Sequence, residues 1–217
     1  MADLIIACLS QKGGVGKSTL ARLIARTYAT AQWTVKIADF NTKQLTSVKW
    51  AEIRKQAGLE PVIDAAPFVQ PTAMRREDYN LVVADGRPDS DQSSLDIALL
   101  SDLVVIPTGL PLDDLEPQLA FGMELIAKGV PKERIVFVLN KITESKSAVN
   151  AARDYLTTAT GFYVARQEIA AKISYQRAQN HGYALSEVEK HVGKLEEVAD
   201  LLAAEIVDRA SAIGEAA

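Results

Sequence analysis

The chain has 217 residues, 48% of them hydrophobic and 24% charged, enough to bury one sizeable core in a single domain. A formal charge of −4 and a pI near 5.3 exclude a protein that coats nucleic acid with its whole surface, while leaving room for a local basic patch. One cysteine, Cys8, rules out an intramolecular disulfide, no signal-peptide pattern opens the chain, and no apolar run reaches the roughly 20 residues of a membrane span, so a cytoplasmic protein is expected.

Short apolar runs alternate with helical patterns along the chain. Strands are predicted at Leu4–Leu9, Thr34–Ala38, Pro61–Asp64, Leu81–Ala84, Leu103–Pro107, Ile135–Leu139 and Phe162–Ala165. Helices are predicted at Lys17–Thr30, Thr42–Ala57, Gln92–Leu100, Leu112–Lys128, Lys146–Thr157, Tyr175–Asn180 and Ser186–Ala210. Several strands lack polar alternation, as strands buried on both faces should. The expected fold is therefore α/β, an open, mostly parallel twisted sheet with helices on both faces. One domain is expected over 1–210, with residues 211–217 fraying. In the last helix Val188, Val192, Leu195, Val198, Leu202 and Ile206 recur at helical spacing and should pack on the sheet.

The stretch Ser10-Gln-Lys-Gly-Gly-Val-Gly-Lys-Ser-Thr19 lies directly after the first strand and directly before the first helix. Gly13, Gly14 and Gly16 let backbone N–H groups wrap phosphates at a helix N-terminus. Lys17 can reach the terminal phosphates and the Ser18 hydroxyl can ligate Mg²⁺. The standard phosphate-loop pattern wants glycine at position 11, however, and this chain has Gln11 followed by a second lysine, Lys12.

Two further carboxylates stand where such a loop needs them. Asp39 ends the second strand in Ile37-Ala-Asp39-Phe-Asn41, facing the crevice in which open α/β sheets bind ligands, and can steer a water or the shell of Mg²⁺. Asp85 ends the apolar run Leu81-Val-Val-Ala-Asp85, the Walker B arrangement that holds the metal's water shell, and Gly86 is expected to permit close approach to the γ-phosphate. Asn140 closes the sixth strand as either a base-pairing amide or a turn residue.

With its bracketing lysines, Lys12-Gly-Gly-Val-Gly-Lys-Ser-Thr19 resembles the signature of the ParA/MinD family of P-loop ATPases. The segments Val105–Asp113, Phe137–Lys141 and Ile169–Tyr183 extend the likeness over most of the chain. The resemblance implies ATP and Mg²⁺ as cofactors, with Lys12, Gly13, Gly14, Val15, Gly16, Lys17, Ser18, Thr19 and Asn140 on the nucleotide. It places Lys12, Lys17 and Asp39 in the catalytic set, and Ser18, Asp39 and Asp85 around the metal. It also implies that Lys12 touches the nucleotide of a second subunit, so that ATP joins a homodimer. The family segment usually reads Asp-x-Asp-Pro-Gln; here Asn41 replaces the second aspartate, and an amide cannot accept a proton. Slow hydrolysis is expected, with the alternative that Asn41 merely caps the following helix.

Relatives of this kind ride on a membrane, on nucleoid DNA or on a metallocluster. One strand-buried cysteine cannot hold a cluster. From Ser186 onward eight acids outnumber three bases (Lys190, Lys194, Arg209), unlike a basic membrane-binding helix. Non-specific DNA is the expected substrate surface, with Lys128, Lys132, Arg134, Lys141, Lys146, Arg153, Arg166, Lys172, Arg177, Lys190 and Lys194 as candidate contacts. A site-specific DNA-reading domain is not expected, since nothing of that size precedes Ser10. The resemblance thus implies partition of a plasmid or chromosome segment, nucleoid association in the ATP state and a ParB-like adaptor that stimulates hydrolysis. Alternatives are an ATP-gated positioning adaptor with negligible hydrolysis, or a metabolic ligase or synthetase of the same fold.

Overall fold

The computed structural model describes residues 1–88, 92–188 and 194–216. The strands are β1 (Leu4–Cys8), β2 (Val35–Asp39), β3 (Asp64–Pro67), β4 (Leu81–Asp85), β5 (Leu103–Thr108), β6 (Ile135–Ile142), β7 (Tyr163–Val164) and β8 (Ile169–Ala170). The helices are α1 (Lys17–Thr30), α2 (Thr46–Gln56), α3 (Gln92–Leu100), α4 (Leu112–Ala127), α5 (Lys146–Thr160), α6 (Ile173–Asn180) and α7 (Leu195–Ala216). The sheet order is β3-β2-β4-β1-β5-β6-β7, with β8 pairing β6, and every pairing is parallel.

Alternation along each strand divides the core into two layers. Ile6 and Cys8 pack with Leu20, Leu23 and Ile24 of α1 and with Leu202 and Ile206 of α7. Ile5, Ala7 and Leu9 pack on the other face with Ile97 of α3, Phe121 and Leu125 of α4 and Leu156 of α5. Because both faces are covered, the strands read as unbroken apolar runs. Cys8 belongs to the first layer, and burial, reinforced by Asp85, pushes its thiol well above the usual range.

Several boundaries differ from the sequence expectation. The β3 strand is displaced from 61–64 to Asp64–Pro67, where it pairs with Lys36–Asp39 as an edge strand that tolerates proline; Ile63 enters the core ahead of it. The β8 strand is only two residues long and carries no apolar run, so the sequence shows no signal for it. The α2 helix begins at Thr46, four residues later than expected. The predicted last helix is divided: Leu185–Glu187 forms one 3₁₀ turn, and α7 starts at Leu195 and continues to Ala216, through most of the segment expected to fray. Leu195, Leu202 and Ile206 are in the core as expected, and Val192 lies outside the described residues.

The segment before α7 is fastened to α2 by one arginine. Arg54 is only 1% exposed, and all five of its N–H groups are satisfied: Nε by the Pro61 carbonyl (2.9 Å), Nη1 by the Gly182 carbonyl (3.0 Å) and Glu187 (2.7 Å), Nη2 by the Glu60 carbonyl (2.7 Å) and Glu187 (3.0 Å). Gly182, at φ +82°, passes so close that a Cβ there would lie 2.7 Å from the Arg54 backbone. Arg54→Met should therefore cost about 3 to 5 kcal/mol in chemical denaturation, because Glu187 loses its buried bidentate partner. Arg54→Lys should not restore the loss, since one ammonium cannot serve four separated acceptors.

Candidate functional site

Parallel register sets the site. Asp39 of β2 is the direct partner of Asp85 of β4, and Cys8 of β1 is the partner of Asp85 on its other side. The loop that leaves β1 therefore rises beside both carboxylates, at the carboxyl edge of the sheet where such folds bind ligands.

The loop is braced through its carbonyls. Lys17, largely buried, donates from Nζ to the Lys12 carbonyl at 3.0 Å, and Asn140 donates from Nδ2 to the Val15 carbonyl at 2.6 Å. Gly16, at φ +107°, cannot be anything larger: a Cβ would stand 1.9 Å from Asn140 Nδ2. Gly13, Gly14 and Val15 line a cavity of about 260 Å³ together with Lys12, Asn140 and Lys141. Ser18 and Thr19, both half-buried, occupy the first turn of α1. Asn140 is 1% exposed, and its Oδ1 has no hydrogen-bond partner. Nδ2 gives one of its two N–H groups to the loop, and Oδ1 is an open acceptor, which suits the exocyclic amine of adenine.

Lys12 and Asp114 both line this cavity. The Lys12 ammonium lies against the Asp114 carboxylate and 3.4 Å from the Asp113 carbonyl, at the start of α4.

Asp39 and Asp85 are buried and linked through Ser47 near the start of α2. Asp39 accepts from the N–H groups of Asn41 (3.0 Å), Ser47 (2.9 Å) and Val48 (3.4 Å). It thus caps α2 from a neighbouring strand, since Leu45 at the N-cap position, with φ +51°, has no capping side chain. Asn41 is accordingly not the cap of this helix; it closes a turn, donating to Gln44 Oε1 at 3.0 Å and accepting from the Gln44 N–H at 3.3 Å. Ser47 donates to Asp85 Oδ2 at 2.6 Å, and Arg22 of α1 donates to Ser47 Oγ at 3.4 Å, to the Thr46 carbonyl at 2.7 Å and to Gln179 Oε1 at 3.0 Å. Neither Ser47 nor Arg22 belongs to a motif, and no sequence signal marks them.

Burial pushes the Asp85 carboxyl up to about 6; the Ser47 hydroxyl pulls it back, Asp39 raises it, and Ser18 and Arg22 lower it. Arg22 is brought down to about 10 by burial, against the pull of Asp85 and Asp39, and stays charged at neutral pH. Asp85 Oδ1 is buried without a hydrogen-bond partner. A free carboxylate oxygen near a loop hydroxyl fits the water shell of Mg²⁺ held mainly by phosphates, and among the described residues no cluster of three or more His, Cys, Asp or Glu forms an alternative cage. Gly86 serves packing: a Cβ there would meet the Leu9 side chain at 2.5 Å and the Cys8 carbonyl at 3.0 Å, so its smallness is required by β1.

A braced glycine loop between β1 and α1, with a strand-end carboxylate opposite, defines a P-loop nucleotide-binding protein of the two-lysine type. The family profile of the CobQ/CobB/MinD/ParA nucleotide-binding domain matches residues 6–185, and the chain belongs to that family. Among solved structures it is similar to the septum site-determining protein MinD from Pyrococcus horikoshii OT3 complexed with Mg-ADP (TM-score 0.76, 16% identity, covering 97% of this chain and 98% of that one). It is also similar to a putative plasmid partition protein from Borrelia burgdorferi B31 bound to AMPPNP (TM-score 0.69, 15% identity, 95% and 99% covered). A ParA family ATPase from Chlorobium tepidum TLS is a third likeness (TM-score 0.70, 17% identity, 94% and 99% covered). A search of curated proteins finds no significant sequence match.

The Asp85 shift has a consequence in solution. An ordinary aspartate titrates near 4, so the raised value means that the folded chain holds this proton more tightly than the unfolded one. The stabilisation is complete below about pH 4 and is lost as pH rises through about 6. Asp85→Asn removes that loss. Urea unfolding without nucleotide should show the variant gaining on the parent between pH 4 and pH 7 by on the order of 2 kcal/mol. Parallel pH curves would contradict it.

Proposed function

We propose that this chain is a ParA-like ATPase whose ATP- and Mg²⁺-bound form is a face-to-face homodimer that binds DNA without sequence preference and positions a cargo, such as a plasmid or chromosome segment. The observation that carries this reading is Lys12, held by Asp114 on the rim of its own cavity. From there its ammonium can meet the phosphates of a second subunit, and dimer stability then depends on the terminal phosphate. Lys17 binds the terminal phosphates, Ser18 and the Asp85 carboxylate hold the metal and its water, and the Asn140 acceptor selects the base. Mg²⁺, when bound, would neutralise charge developing on the phosphates. The ligase or synthetase alternative gives Lys12 no comparable role.

Two pieces of chemistry limit hydrolysis. Asn41 offers an amide where proton acceptance would be useful. Asp39, the remaining carboxylate of that segment, commits three of its roughly four lone-pair sites to backbone N–H groups at the start of α2, which leaves it one site for a water. Turnover is therefore slow and sensitive to an adaptor that loosens the start of α2, which keeps the ATP-gated adaptor as the second reading. For DNA, Arg153 is removed from the candidate contacts, because it donates to the Ala165 and Arg166 carbonyls and to Glu168. Lys146 and Lys172 share one shallow cavity and Arg177 is exposed on α6, whereas Lys190 lies outside the described residues.

Lys12→Ala should retain ADP binding within a few-fold yet show no ATP-dependent dimer in sedimentation velocity; a variant that still dimerises with ATP refutes the role given to Lys12. With a non-hydrolysable ATP analogue at low salt, the parent protein should retain DNA fragments of unrelated sequence with similar affinity and lose them steeply as salt rises. Absence of any retention would remove DNA from the function. Asp39→Ala should lower steady-state turnover, and a high rate unchanged by that substitution would contradict slow hydrolysis carried by this carboxylate.

A further inference from the structure

Asn140 and Lys141 are consecutive residues near the end of β6, and both reach the phosphate loop. Asn140 Nδ2 donates to the Val15 carbonyl at 2.6 Å, and Lys141 Nζ donates to the Gly14 carbonyl at 2.5 Å. Successive side chains of a regular strand point to opposite faces, so this convergence requires an interruption of the strand. The interruption is present. β6 pairs with β8 through Asn140 opposite Ile169 and Ile142 opposite Ala170, leaving Lys141 as the extra residue of a bulge, at φ +60°. That left-handed conformation is disfavoured for a side chain with a Cβ, and glycine would adopt it freely. Bulges beside active sites re-aim side chains, and strain maintained by its surroundings points to function.

We propose that Lys141 is a positioning residue of the phosphate loop. A trans peptide carries its C=O and the following N–H in opposite directions. By holding the Gly14 carbonyl, the Lys141 ammonium turns the Val15 N–H towards the phosphates, and Asn140, on the Val15 carbonyl, does the same for the Gly16 N–H. Lys17 holds the Lys12 carbonyl in the same manner, but its ammonium is needed by the nucleotide, whereas Lys141 and Asn140 keep their bonds when phosphate arrives. The Asn140–Lys141 pair thus sets two successive loop N–H groups before any ligand binds, and the bulge is what permits two neighbours to share that task. This inference rests on the reading of the loop as phosphate-binding.

The test compares the parent with Lys141→Met, which keeps the stem and loses the ammonium, Lys141→Gly, which also relieves the backbone, and Lys141→Arg. Binding of ADP and of inorganic tripolyphosphate, each with Mg²⁺, is measured by calorimetry, and melting is followed without ligand. Lys141→Met and Lys141→Gly should each lose roughly tenfold in affinity for both ligands, and Lys141→Arg should recover part of it. Lys141→Gly should nevertheless melt roughly 2 to 4 °C above Lys141→Met, because only it escapes the strained φ. A residue that merely stabilised the fold would move affinity and melting together. Unchanged affinity in Lys141→Met, a loss confined to ADP, or a glycine variant that melts no higher than the methionine variant would each overturn the proposal. A parent chain that binds neither ligand would overturn the nucleotide-binding reading itself.

Discussion

Two carboxylates stand side by side at the ends of β2 and β4 with almost no access to water, and the rest of the site is arranged around that fact. Isolated buried charges of like sign are expensive. Asp39 is compensated by the partial positive charge at the start of α2, Asp85 by the Ser47 hydroxyl, and both by the buried guanidinium of Arg22. The compensation is incomplete for Asp85, which is why its carboxyl titrates high and why one of its oxygens remains free for the shell of a cation. The same arrangement places α2, because its first turn has no capping side chain of its own and depends on Asp39.

Much of this was legible in the sequence where chemistry and locality coincide. The loop from Lys12 to Thr19, the strand-end aspartates and the buried parallel strands all follow from residue types over a few neighbouring positions. What escaped is non-local. The expected start of α2 at Thr42 assumed a helix that caps itself, whereas the true start is set by the Asp39 carboxylate at the end of the preceding strand, across an intervening turn. Arg22 reads as an ordinary charge on a helix, and only the packing of α1 against α2 and α6 shows it to be buried. The β8 strand has no apolar run because it is two residues long and is held by a bulged partner. Lys141 looked like one basic residue among many, and its backbone angle is what sets it apart. Gly86 also has a packing role that the sequence does not mark, because a Cβ there would meet the side chain of Leu9.

The lysines of the site differ in what they can do because the backbone gives them different anchors. Lys17 leaves α1 at its first residue and points back along the loop. Lys12 lies on an exposed turn and rests on α4. Lys141 is turned by a bulge. Three identical side chains within one crevice thus hold three different partners, the Lys12 carbonyl, the start of α4 and the Gly14 carbonyl, and composition alone cannot separate these roles.

Trp50 of α2 lies between the guanidinium groups of Arg22 and Arg54, 5.5 and 5.6 Å from its ring centre, and donates to the Tyr183 carbonyl. Arg22 in turn holds Gln179, 157 residues away in sequence, and Arg54 holds Glu187 across 133 residues. Each of these buried cations thus combines nearby acceptors, Thr46 and Ser47 for Arg22 and Glu60 and Pro61 for Arg54, with acceptors between Gln179 and Glu187. The packing that seats α2, and with it the helix start capped by Asp39, therefore draws on residues far along the chain.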